Sequence, residues 1–329
     1  MDEVQRNLPL ASVIVITYNQ ERCLAKTLDS ILSQKCDFDI EIVIGDDCSK
    51  DATRSIMASY SNKYSNVKSY YNEKNLGLVG NYISTLKHCS GKYIAMCDGD
   101  DVWIDENKLS KQVAIMESNQ EIGLVYTDVE INSVVTGEKF VRRCQDPSDE
   151  LFTQLLKGNI ITISSVCMRA SLLELIDFDE FINEGFKMQD YPMWLTLCHY
   201  TKFYRIPEVM VSYLIDHPIL KSDEVMRHAC DFDANTTNIR LLFWERYQDE
   251  TKLTKTEILD EHYKMEIRAG LQYNDRKHVD NYIGELGTVN VYYKRLHVLC
   301  KSVVGFYVYQ LYRRITGKRK TPLQLYFGN

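Results

Sequence analysis

Three aspartates, Asp98, Asp100 and Asp101, occupy four consecutive positions directly after an apolar run, in the segment KYIAMCDGDDVW (92–103). Carboxylates this close repel one another, and each resists ionisation beside the others. Either water screens them at the tip of a loop, or a divalent cation sits among them. In the second case the cation would neutralise the charge of an anionic ligand during a reaction.

Polar residues also follow two other apolar runs of the first hundred residues. TYNQ (17–20) comes after ASVIVIT, and DDCSKD (46–51) comes after IEIVIGD. Further along, Asp190 opens the apolar segment DYPMWLTL, with Pro192 two positions later. Proline is tolerated in the first turn of a helix and aspartate suits a helix N-terminus, so Asp190 is predicted to begin a helix.

The elements that would carry these residues alternate between strand and helix. The predicted strands are ASVIVIT (11–17), IEIVIGD (40–46), VKSYY (67–71) and KYIAMC (92–97), with helical periodicity between them. This alternation predicts an α/β fold with a mostly parallel sheet, whose ligands bind beyond the carboxyl ends of the strands. All the polar clusters fall on that rim, which favours a ligand site over a screened loop.

Beyond about residue 120 the alternation is less regular. Strands are predicted at 122–131 and 161–169, extended segments at 204–217, and a short helix at 150–158. Residues from about 222 to 285 are charged and helix-favouring, which predicts a helical extension.

The composition excludes several classes of protein. The chain has 329 residues, of which 45% are hydrophobic and 26% charged, as in ordinary globular proteins. Its net charge of −7 argues against a general nucleic-acid binder. The ten cysteines show no CxxC pair and no His/Cys spacing typical of a zinc site, so they are expected to be small hydrophobes in a reducing compartment. MDEVQRNLPL is charged and no apolar run is long enough to span a membrane, so a cytoplasmic location is expected.

The C-terminal segment 286–329 has a different composition from the rest. It contains no Asp or Glu but eight Lys and Arg, around the apolar and aromatic run LHVLCKSVVGFYVYQLY. This pattern predicts contact with a membrane surface or with a partner, and a second copy of the chain could be that partner. The alternative is a core helix with a solvated basic tip.

The glycine-based phosphate motifs are missing from the first strand–helix turn. TYNQE contains no glycine where a dinucleotide-binding GxGxxG would begin, and GxxxxGK[ST] does not occur; NLGLVGN (75–81) is a weak signal. Carboxylates bind a phosphate only through a cation, and Mg²⁺ or Mn²⁺ meets that need. The rim is therefore predicted to hold a nucleoside diphosphate through a metal, which would assist departure of the diphosphate.

Four segments, in this order, resemble the family 2 glycosyltransferases, inverting sugar transferases of the GT-A fold. They are SVIVITYNQERCLAKTLDSILSQ, EIVIGDDCSKDAT, NLGLVGNYISTLKHCSGKYIAMCDGDDVW and MQDYPMWL. The resemblance covers about residues 9–217 and implies a Rossmann-like sheet flanked by helices. It implies a catalytic domain at 1–220, with a nucleotide-sugar half (about 9–118) and an acceptor half (about 119–220), before a helical extension at 221–329.

The resemblance also implies a nucleotide pocket. Thr17 and Tyr18 would frame the base together with Asp47, whose carboxylate would accept a hydrogen bond from a ring N–H. Glu21 and Asn75 would line the same pocket.

For the reacting groups, the resemblance implies that Asp100 lies near the ribose and donor sugar, while Asp101 ligates the metal that carries the diphosphate. Asp98 would add a contact or orient the loop. His217 would lie near the diphosphate as a further metal ligand. Asp190 would be the general base, taking a proton from the acceptor hydroxyl as it attacks the anomeric carbon.

Several neighbours are expected to have structural roles, and two positions depart from the family pattern. Asp46 is expected to support its turn, Asp51 to start a helix, Trp103 to pack below the aspartate loop and Trp194 to lie in the core. Gly80 stands where many relatives have an Arg near the phosphates, and Gln189 where they often have a Glu.

The resulting hypothesis is a metal-dependent inverting glycosyltransferase of hexosyltransferase type. It would move a sugar from a nucleoside-diphosphate sugar, foremost a UDP-sugar, to a hydroxyl of a glycan or lipid-linked glycan, as in surface polysaccharide assembly. The basic tail would hold it peripherally at the inner face of the membrane. The alternatives are a nucleotidyltransferase and a non-catalytic nucleotide-binding or scaffold protein of the same fold.

Overall fold

The computed structural model describes residues 10–133, 137–215, 222–287 and 291–316. The chain divides into two compact units, Met1–Asp216 and His217–Asn329. His217, for which a role near the diphosphate is predicted, lies outside the described residues, as do 288–290 and 317–329 of the basic tail.

The first half of the N-terminal unit alternates strand and helix, as the sequence predicts. Its elements are β1 (Ala11–Thr17), α1 (Leu24–Leu32), β2 (Ile40–Asp46), α2 (Thr53–Lys63), β3 (Val67–Tyr71), α3 (Gly77–Leu86) and β4 (Tyr93–Asp98). Every residue of β1 is buried, because neighbouring strands and the helices on both faces of the sheet cover its β-branched side chains.

The second half of this unit contains shorter and less regular elements. They are β5 (Val102–Trp103), α4 (Lys108–Ser118), β6 (Ile122–Ser133), β7 (Lys139–Arg142), α5 (Leu151–Lys157), β8 (Cys167–Arg169), α6 (Phe178–Asn183), α7 (Asp190–Leu197) and β9 (Lys202–Ile215).

One sheet connects all these strands in the order β3-β2-β1-β4-β8-β6-β9-β5, and β7 pairs with β6. The first four strands are parallel, whereas β8 runs antiparallel to β4 and β6. The register places Thr17 beside Asp46 and Ile16 beside Asp98. The carboxyl ends of β1, β2 and β4 therefore meet at one edge, and the predicted α/β class is confirmed.

The strand predicted at 161–169 is wrong in its first part. Ile163–Ser165 forms a single 3₁₀ turn, and only Cys167–Arg169 is a strand. The Ser165 hydroxyl donates to the Thr162 carbonyl oxygen at 2.6 Å, and the Ser165 N–H donates to the same oxygen at 3.0 Å. Hydroxyl side chains that bond their own backbone in this way compete with strand pairing.

The C-terminal unit is helical within its described residues. It contains α8 (Ser222–Tyr247), α9 (Lys255–Tyr273), α10 (Arg276–Glu285), α11 (Val291–Cys300) and α12 (Val303–Ile315). A buried apolar cluster that includes Ile267, Leu271, Val279 and Phe306 joins α9 to the helices after it. None of the described helices combines the length and apolar character that a membrane span requires.

Candidate active site

The loops after β1 and β2 are tied together by hydrogen bonds. The Asn19 N–H donates to Ser49 Oγ, the Lys50 N–H donates to Asn19 Oδ1, and the Gln20 N–H donates to Thr53 Oγ1, each at 2.8 Å. Asn19 has a φ of 53°, a left-handed conformation that asparagine adopts more readily than most residues. The two loops therefore form one continuous rim above the sheet.

The two predicted pocket residues after β1 differ in exposure. Thr17 is 3% exposed, and its Oγ1 has no hydrogen-bond partner among the described residues. Tyr18 next to it is 47% exposed, so its ring is available to a ligand. A buried hydroxyl without a partner and an exposed ring at the end of a parallel strand are features of a ligand pocket.

Asp47 supports the start of α3. Its Oδ1 accepts the Leu76 N–H at 2.7 Å, and its Oδ2 accepts the Gly77 N–H at 3.0 Å. The exposed Asn75 donates its Nδ2 to the Asp47 carbonyl oxygen at 3.1 Å. Asp47 thus positions the loop before α3, and the predicted contact of its carboxylate with a nucleotide base stays a prediction.

Glu21 and Asp51 connect the loops after β1 and β2 through side chain–backbone hydrogen bonds. Glu21 Oε2 accepts the Ala52 N–H at 2.8 Å, and the Glu21 N–H donates to Asp51 Oδ2 at 3.1 Å. Asp51 Oδ1 also accepts the Thr53 N–H at 3.0 Å at the beginning of α2, so its predicted role at a helix start is confirmed. Glu21 therefore connects the loop after β1 to the loop after β2. Its predicted contact with a nucleotide stays a prediction.

The aspartate loop has one carboxylate that is fully enclosed. Asp101 is 0% exposed; its Oδ2 accepts the Ser164 hydroxyl, and its Oδ1 accepts the Leu214 N–H at 2.9 Å. The Ser164 Oγ also accepts the Asp98 N–H at 3.0 Å. Asp98 and Asp100 are half-buried residues, whereas Asp101 is fully buried.

Gly99 allows the aspartate loop to lie close to the end of β1. A Cβ at this position would be 2.3 Å from Gln20 Oε1 and 3.1 Å from the Ile16 carbonyl oxygen. The Gly99 carbonyl oxygen accepts the Thr27 hydroxyl at 3.0 Å, which fixes the loop to α1. A larger residue would push the aspartates away from Thr17 and the β1 rim.

Crowding makes the aspartates reluctant to ionise. Burial, with the charges of Asp100 and Asp190, raises the pKa of Asp98 to about 8. Burial and the charges of Asp100 and Asp98 also raise the pKa of Asp101 well above its ordinary value. A divalent cation would offset this repulsion, and carboxylate oxygens are the ligands that Mg²⁺ and Mn²⁺ prefer. The donor set therefore fits such a cation.

The aspartates do not enclose an ion by themselves. Among the described residues, the side chains whose ligand atoms all lie within 4.8 Å of one another form two groups in the C-terminal unit, without Asp98, Asp100 or Asp101. A cation on this loop would take further ligands from a bound molecule or from residues outside the described ranges. Mg²⁺ in nucleotide enzymes has this coordination, with one or two carboxylates and the phosphates of the substrate.

Asp190 lies near these carboxylates, at the first position of α7. Its charge contributes to the raised pKa of Asp98, although 92 positions of sequence separate them. Burial raises the pKa of Asp190 itself, and a 2.9 Å hydrogen bond from Asn159 Nδ2 to its Oδ2 works against that rise. The Arg142 guanidinium donates to the Asn159 carbonyl oxygen at 2.7 Å, and its charge also favours the ionised Asp190.

Four residues of this region were not identified from the sequence: Arg142, Asn159, Ser164 and Tyr213. Burial raises the pKa of the Tyr213 phenol well above its ordinary value, and the charges of all four carboxylates, beginning with Asp101, add to the rise. The one available signal was the hydroxyl-rich ITISS segment that contains Ser164. The others have no local pattern that marks them.

The predicted structural residues have the expected surroundings. Asp46 is fully buried and accepts the Ser49 N–H and Arg54 Nε, so its role in supporting the turn is confirmed. Trp194 is 0% exposed, as predicted for a core residue. Trp103 is 3% exposed and donates its Nε1 to the Ser164 carbonyl oxygen at 3.0 Å, which braces the 3₁₀ turn beside the aspartate loop.

Comparisons with known proteins found similar sequences and similar folds. The model of the glycosyl transferase family 2 matches residues 12–176. UDP-Glc:alpha-D-GlcNAc-diphosphoundecaprenol beta-1,3-glucosyltransferase WfgD of Escherichia coli is 33% identical over 190 residues, which are 57% of this chain and 69% of that protein. An uncharacterised protein of Mycobacterium tuberculosis is 35% identical over 121 residues, which span 36% of this chain and only 35% of that relative's length.

Two solved structures are similar over most of the chain. TarS 1–349 of S. aureus, in complex with UDP-GlcNAc, has a TM-score of 0.56 and 18% identity, covering 93% of this chain and 92% of its own. The mannosyltransferase PcManGT of Pyrobaculum calidifontis, in complex with GDP-Man and Mn²⁺, has a TM-score of 0.51 and 15% identity, covering 94% and 89%. At these identities the likeness concerns the fold alone, and it confirms the predicted GT-A architecture.

Proposed function

Because the chain belongs to glycosyl transferase family 2, we propose that it is a metal-dependent, inverting enzyme that transfers a hexose to a hydroxyl group. The donor would be a nucleoside-diphosphate sugar, and the acceptor a glycan or lipid-linked glycan. The observation that carries this proposal is the enclosed aspartate loop at the carboxyl edge of the sheet, with Asp190 connected to the adjoining 3₁₀ turn through Asn159 and Arg142. Family membership favours this reaction over nucleotidyl transfer.

A UDP-sugar is the donor that we propose to test first. WfgD is named for UDP-Glc, and TarS was solved with UDP-GlcNAc. The unpartnered Thr17 hydroxyl and the exposed Tyr18 ring would contact the base and ribose, with Asp47, Glu21 and Asn75 forming the wall beside them. These assignments follow the family resemblance, and the hydrogen bonds of Asp47 and Glu21 support a fixed wall.

We assign the metal first to Asp100, with Asp98 as a second ligand. The sequence resemblance gives this role to Asp101, but both oxygens of that enclosed carboxylate already accept hydrogen bonds. Asp101 would then anchor the loop, and the half-buried Asp100 would bind the ion. The bound Mn²⁺ or Mg²⁺ would neutralise the charge that develops on the departing diphosphate.

Asp190 would be the general base of the reaction. Its carboxylate accepts the proton of the acceptor hydroxyl while that oxygen forms a bond to the anomeric carbon of the sugar. The bond between the anomeric carbon and the diphosphate oxygen breaks at the same time, and the nucleoside diphosphate leaves with the electron pair. One displacement inverts the anomeric configuration. Asn159 orients Asp190 through its amide donor.

The C-terminal unit would hold the enzyme at an anionic membrane surface. Val304, Tyr307, Val308, Leu311 and Ile315 recur along α12 at spacings that share one helix face, and each is 55–76% exposed. The segment 286–329 carries eight Lys and Arg and no acidic residue, which complements anionic lipid headgroups. In this arrangement residues 1–220 are the catalytic domain, and 221–329 bring it peripherally to the inner face of the membrane.

The decisive experiment compares Asp100→Ala with Asp101→Ala. Asp100→Ala is expected to remain folded but to lose Mn²⁺-dependent binding of UDP, measured by calorimetry. Asp101→Ala is expected to lower the unfolding free energy by about 1–3 kcal/mol, because the buried Ser164 and Leu214 donors lose their acceptor.

Turnover is measured in the same experiment, with UDP- and GDP-sugars and Mn²⁺. Asp190→Asn should bind UDP and Mn²⁺ as the wild type does, yet fail to transfer or hydrolyse the donor. If Asp100→Ala binds UDP and Mn²⁺ normally while a folded Asp101→Ala does not, the metal belongs to Asp101. If neither variant affects binding, the proposed metal dependence is rejected.

A further inference from the structure

Five side chains with metal-ligating atoms come together in the C-terminal unit. Cys230 and Asp233 lie on α8, His262 and Glu266 on α9, and His278 on α10. The ligand atoms of Cys230, Glu266 and His278 all lie within 4.8 Å of one another, and so do those of Asp233, His262 and Glu266. Glu266 belongs to both groups, so the five residues form one connected cluster.

The cluster is held by hydrogen bonds around a buried carboxylate. Glu266 is 2% exposed, and its Oε2 is 2.7 Å from His278 Nε2. His262 Nδ1 is 2.5 Å from Asp233 Oδ2. The four partners of Glu266 in the cluster are half-buried. Burying a carboxylate is costly unless positive charge compensates it, and a metal ion among these groups would do so.

The helices place these residues in a fixed frame. Cys230 and Asp233 are three positions apart, and His262 and Glu266 four, so each pair shares one helix face. Gly270 lets α10 approach α9, because a Cβ there would be 2.7 Å from Val279 Cγ2 and 2.9 Å from His278 Cδ2. The Tyr282 ring lies beside both histidines, with its centroid 4.9 Å from that of His278 and 5.8 Å from that of His262.

The mixture of sulfur, nitrogen and oxygen donors selects the metal. Mg²⁺ and Ca²⁺ prefer oxygen ligands alone, whereas Zn²⁺ takes Cys, His and carboxylate ligands in a tetrahedral site. Cys230, Glu266 and His278 supply one donor atom of each kind, whereas Asp233 and His262 form the second group with Glu266.

We propose that Cys230, Glu266 and His278 bind one Zn²⁺ ion, whose fourth position is open to water. Binding through sulfur releases the thiol proton of Cys230 to solvent. The ion joins α8, α9 and α10 and stabilises the helical unit. This site differs from the donor site in its ligands and its metal, and it does not depend on the proposed transferase reaction. The linear spacing of the cysteines gave no indication of it, because the ligands come from three helices.

The test uses the purified full chain, stripped with a chelator and then given one equivalent of Zn²⁺. Metal content after gel filtration should be one Zn²⁺ per chain, and the melting temperature should rise on addition of the ion. Co²⁺ in place of Zn²⁺ should give the visible absorption of a tetrahedral site together with a sulfur-to-cobalt charge-transfer band.

Variants identify the ligands. Cys230→Ser should abolish the charge-transfer band, whereas Cys300→Ser, at a buried cysteine outside the cluster, should keep it. Asp100→Ala should retain both zinc and the cobalt spectrum, which separates this ion from a metal at the donor site.

Two results would overturn the proposal. One is wild-type protein that keeps no Zn²⁺ after gel filtration and shows no rise in melting temperature. The other is a cobalt spectrum that Cys230→Ser leaves unchanged. If Cys230→Ser does not fold, His278→Gln replaces it, with circular dichroism to establish folding and the same cobalt spectrum as readout. Either negative result would make the cluster a hydrogen-bonded network without metal.

Discussion

At the scale of single residues, the three aspartates of one loop differ in their surroundings. Asp101 is enclosed, with both carboxylate oxygens hydrogen-bonded. Asp98 is half-buried, and the charge of Asp190 contributes to its raised pKa. Its backbone N–H donates to Ser164 Oγ. Asp100 is half-buried on the same loop. The residue type predicts metal and phosphate chemistry, and the different neighbours of the carboxylates are the basis on which we propose Asp101 as an anchor and Asp100 as a ligand.

The raised pKa of Asp98 predicts a dependence of stability on pH. Because folding raises this pKa to about 8, the contribution of Asp98 to stability is fully present below its unfolded pKa and is lost as pH rises toward 8. We therefore expect Asp98→Asn to stabilise the metal-free protein, relative to wild type, by more at pH 8 than at pH 5. Thermal denaturation in EDTA measures the difference.

Asp249→Asn, at an exposed position of the C-terminal unit, is the control for this comparison. Its effect on the melting temperature should be the same at both pH values. Added Mn²⁺ should reduce the advantage of Asp98→Asn at pH 8, because the cation offsets the repulsion among the carboxylates. If the stability difference between Asp98→Asn and wild type is the same at pH 5 and pH 8, folding does not raise the pKa of Asp98.

Asn159 is predicted to act through Asp190. The hydrogen bond from the Asn159 side-chain amide to Asp190 Oδ2 favours the ionised carboxylate. Asn159→Ala should therefore raise the pKa of Asp190 further. The acid limb of the pH–kcat profile should move to higher pH, and the rate should fall more at pH 6 than at pH 9. Asn183→Ala, at an exposed position of α6, should leave the profile unchanged. A uniform loss of rate at all pH values would indicate a purely structural role.

At the scale of elements, the site depends on how closely α3 packs against β2. Asp47 fixes the start of this helix, and Gly45 lies beneath it. A Cβ on Gly45 would be 1.7 Å from Thr85 Oγ1 and 2.8 Å from Thr85 Cβ. The Asn81 side chain donates to the Gly45 carbonyl oxygen at 3.0 Å across the same contact. The glycine is therefore required for close approach of the two backbones.

Gly45→Ala should displace α3 and destabilise the N-terminal unit. We expect the unfolding free energy to fall by about 1–3 kcal/mol, the usual cost of overpacking a core, with weaker binding of UDP. Thr85→Ala removes the hydroxyl that would clash first with a Cβ at position 45. In a denaturant titration, the double variant Gly45→Ala/Thr85→Ala should therefore recover part of the unfolding free energy that Gly45→Ala loses. Gly158→Ala, where a Cβ meets no atom within 4 Å, should change stability little. If the double variant recovers no stability, the contact between position 45 and Thr85 is not the cause of the loss.

At the scale of the whole molecule, charge and apolar surface are concentrated at the C-terminal end. Segment 286–329 has eight basic residues and no acidic ones in a chain whose net charge is −7. Within its described part, α12 exposes valine, leucine and tyrosine side chains along one face. Soluble proteins rarely expose a contiguous apolar patch bordered by basic residues without a surface to bind.

Replacing Val304, Val308 and Leu311 together with serine should weaken binding to phosphatidylglycerol vesicles in a sedimentation assay. The exposed side chains at these positions would otherwise enter the interface, and apolar burial contributes to the affinity. The matched control replaces Val141, Leu175 and Ile182, which are 42–52% exposed in the N-terminal unit. Equal sedimentation of both triple variants, or equal binding to neutral phosphatidylcholine vesicles, would refute the proposed surface.

The sequence by itself determined the class of the fold and the position of the site along the chain. Continuous β-branched runs such as ASVIVIT favour buried parallel strands, and parallel strands bring the polar residues that follow them to one edge. The family could also be identified, because its motifs are short and local. The strand prediction failed at Ile163–Ser165, because hydrogen bonds between hydroxyl side chains and the nearby backbone favour a 3₁₀ turn there.

Only the tertiary structure decided which groups meet. The donors that enclose Asp101, on Ser164 and Leu214, lie 63 and 113 residues away in the chain. Cys230, Glu266 and His278 come from three helices and share no spacing typical of a metal site. The periodicity of apolar residues indicates which face of a helix or strand is buried, because this pattern is contained in residues close together in the sequence. The partner of a buried polar group depends on how distant elements pack, and no local pattern encodes it.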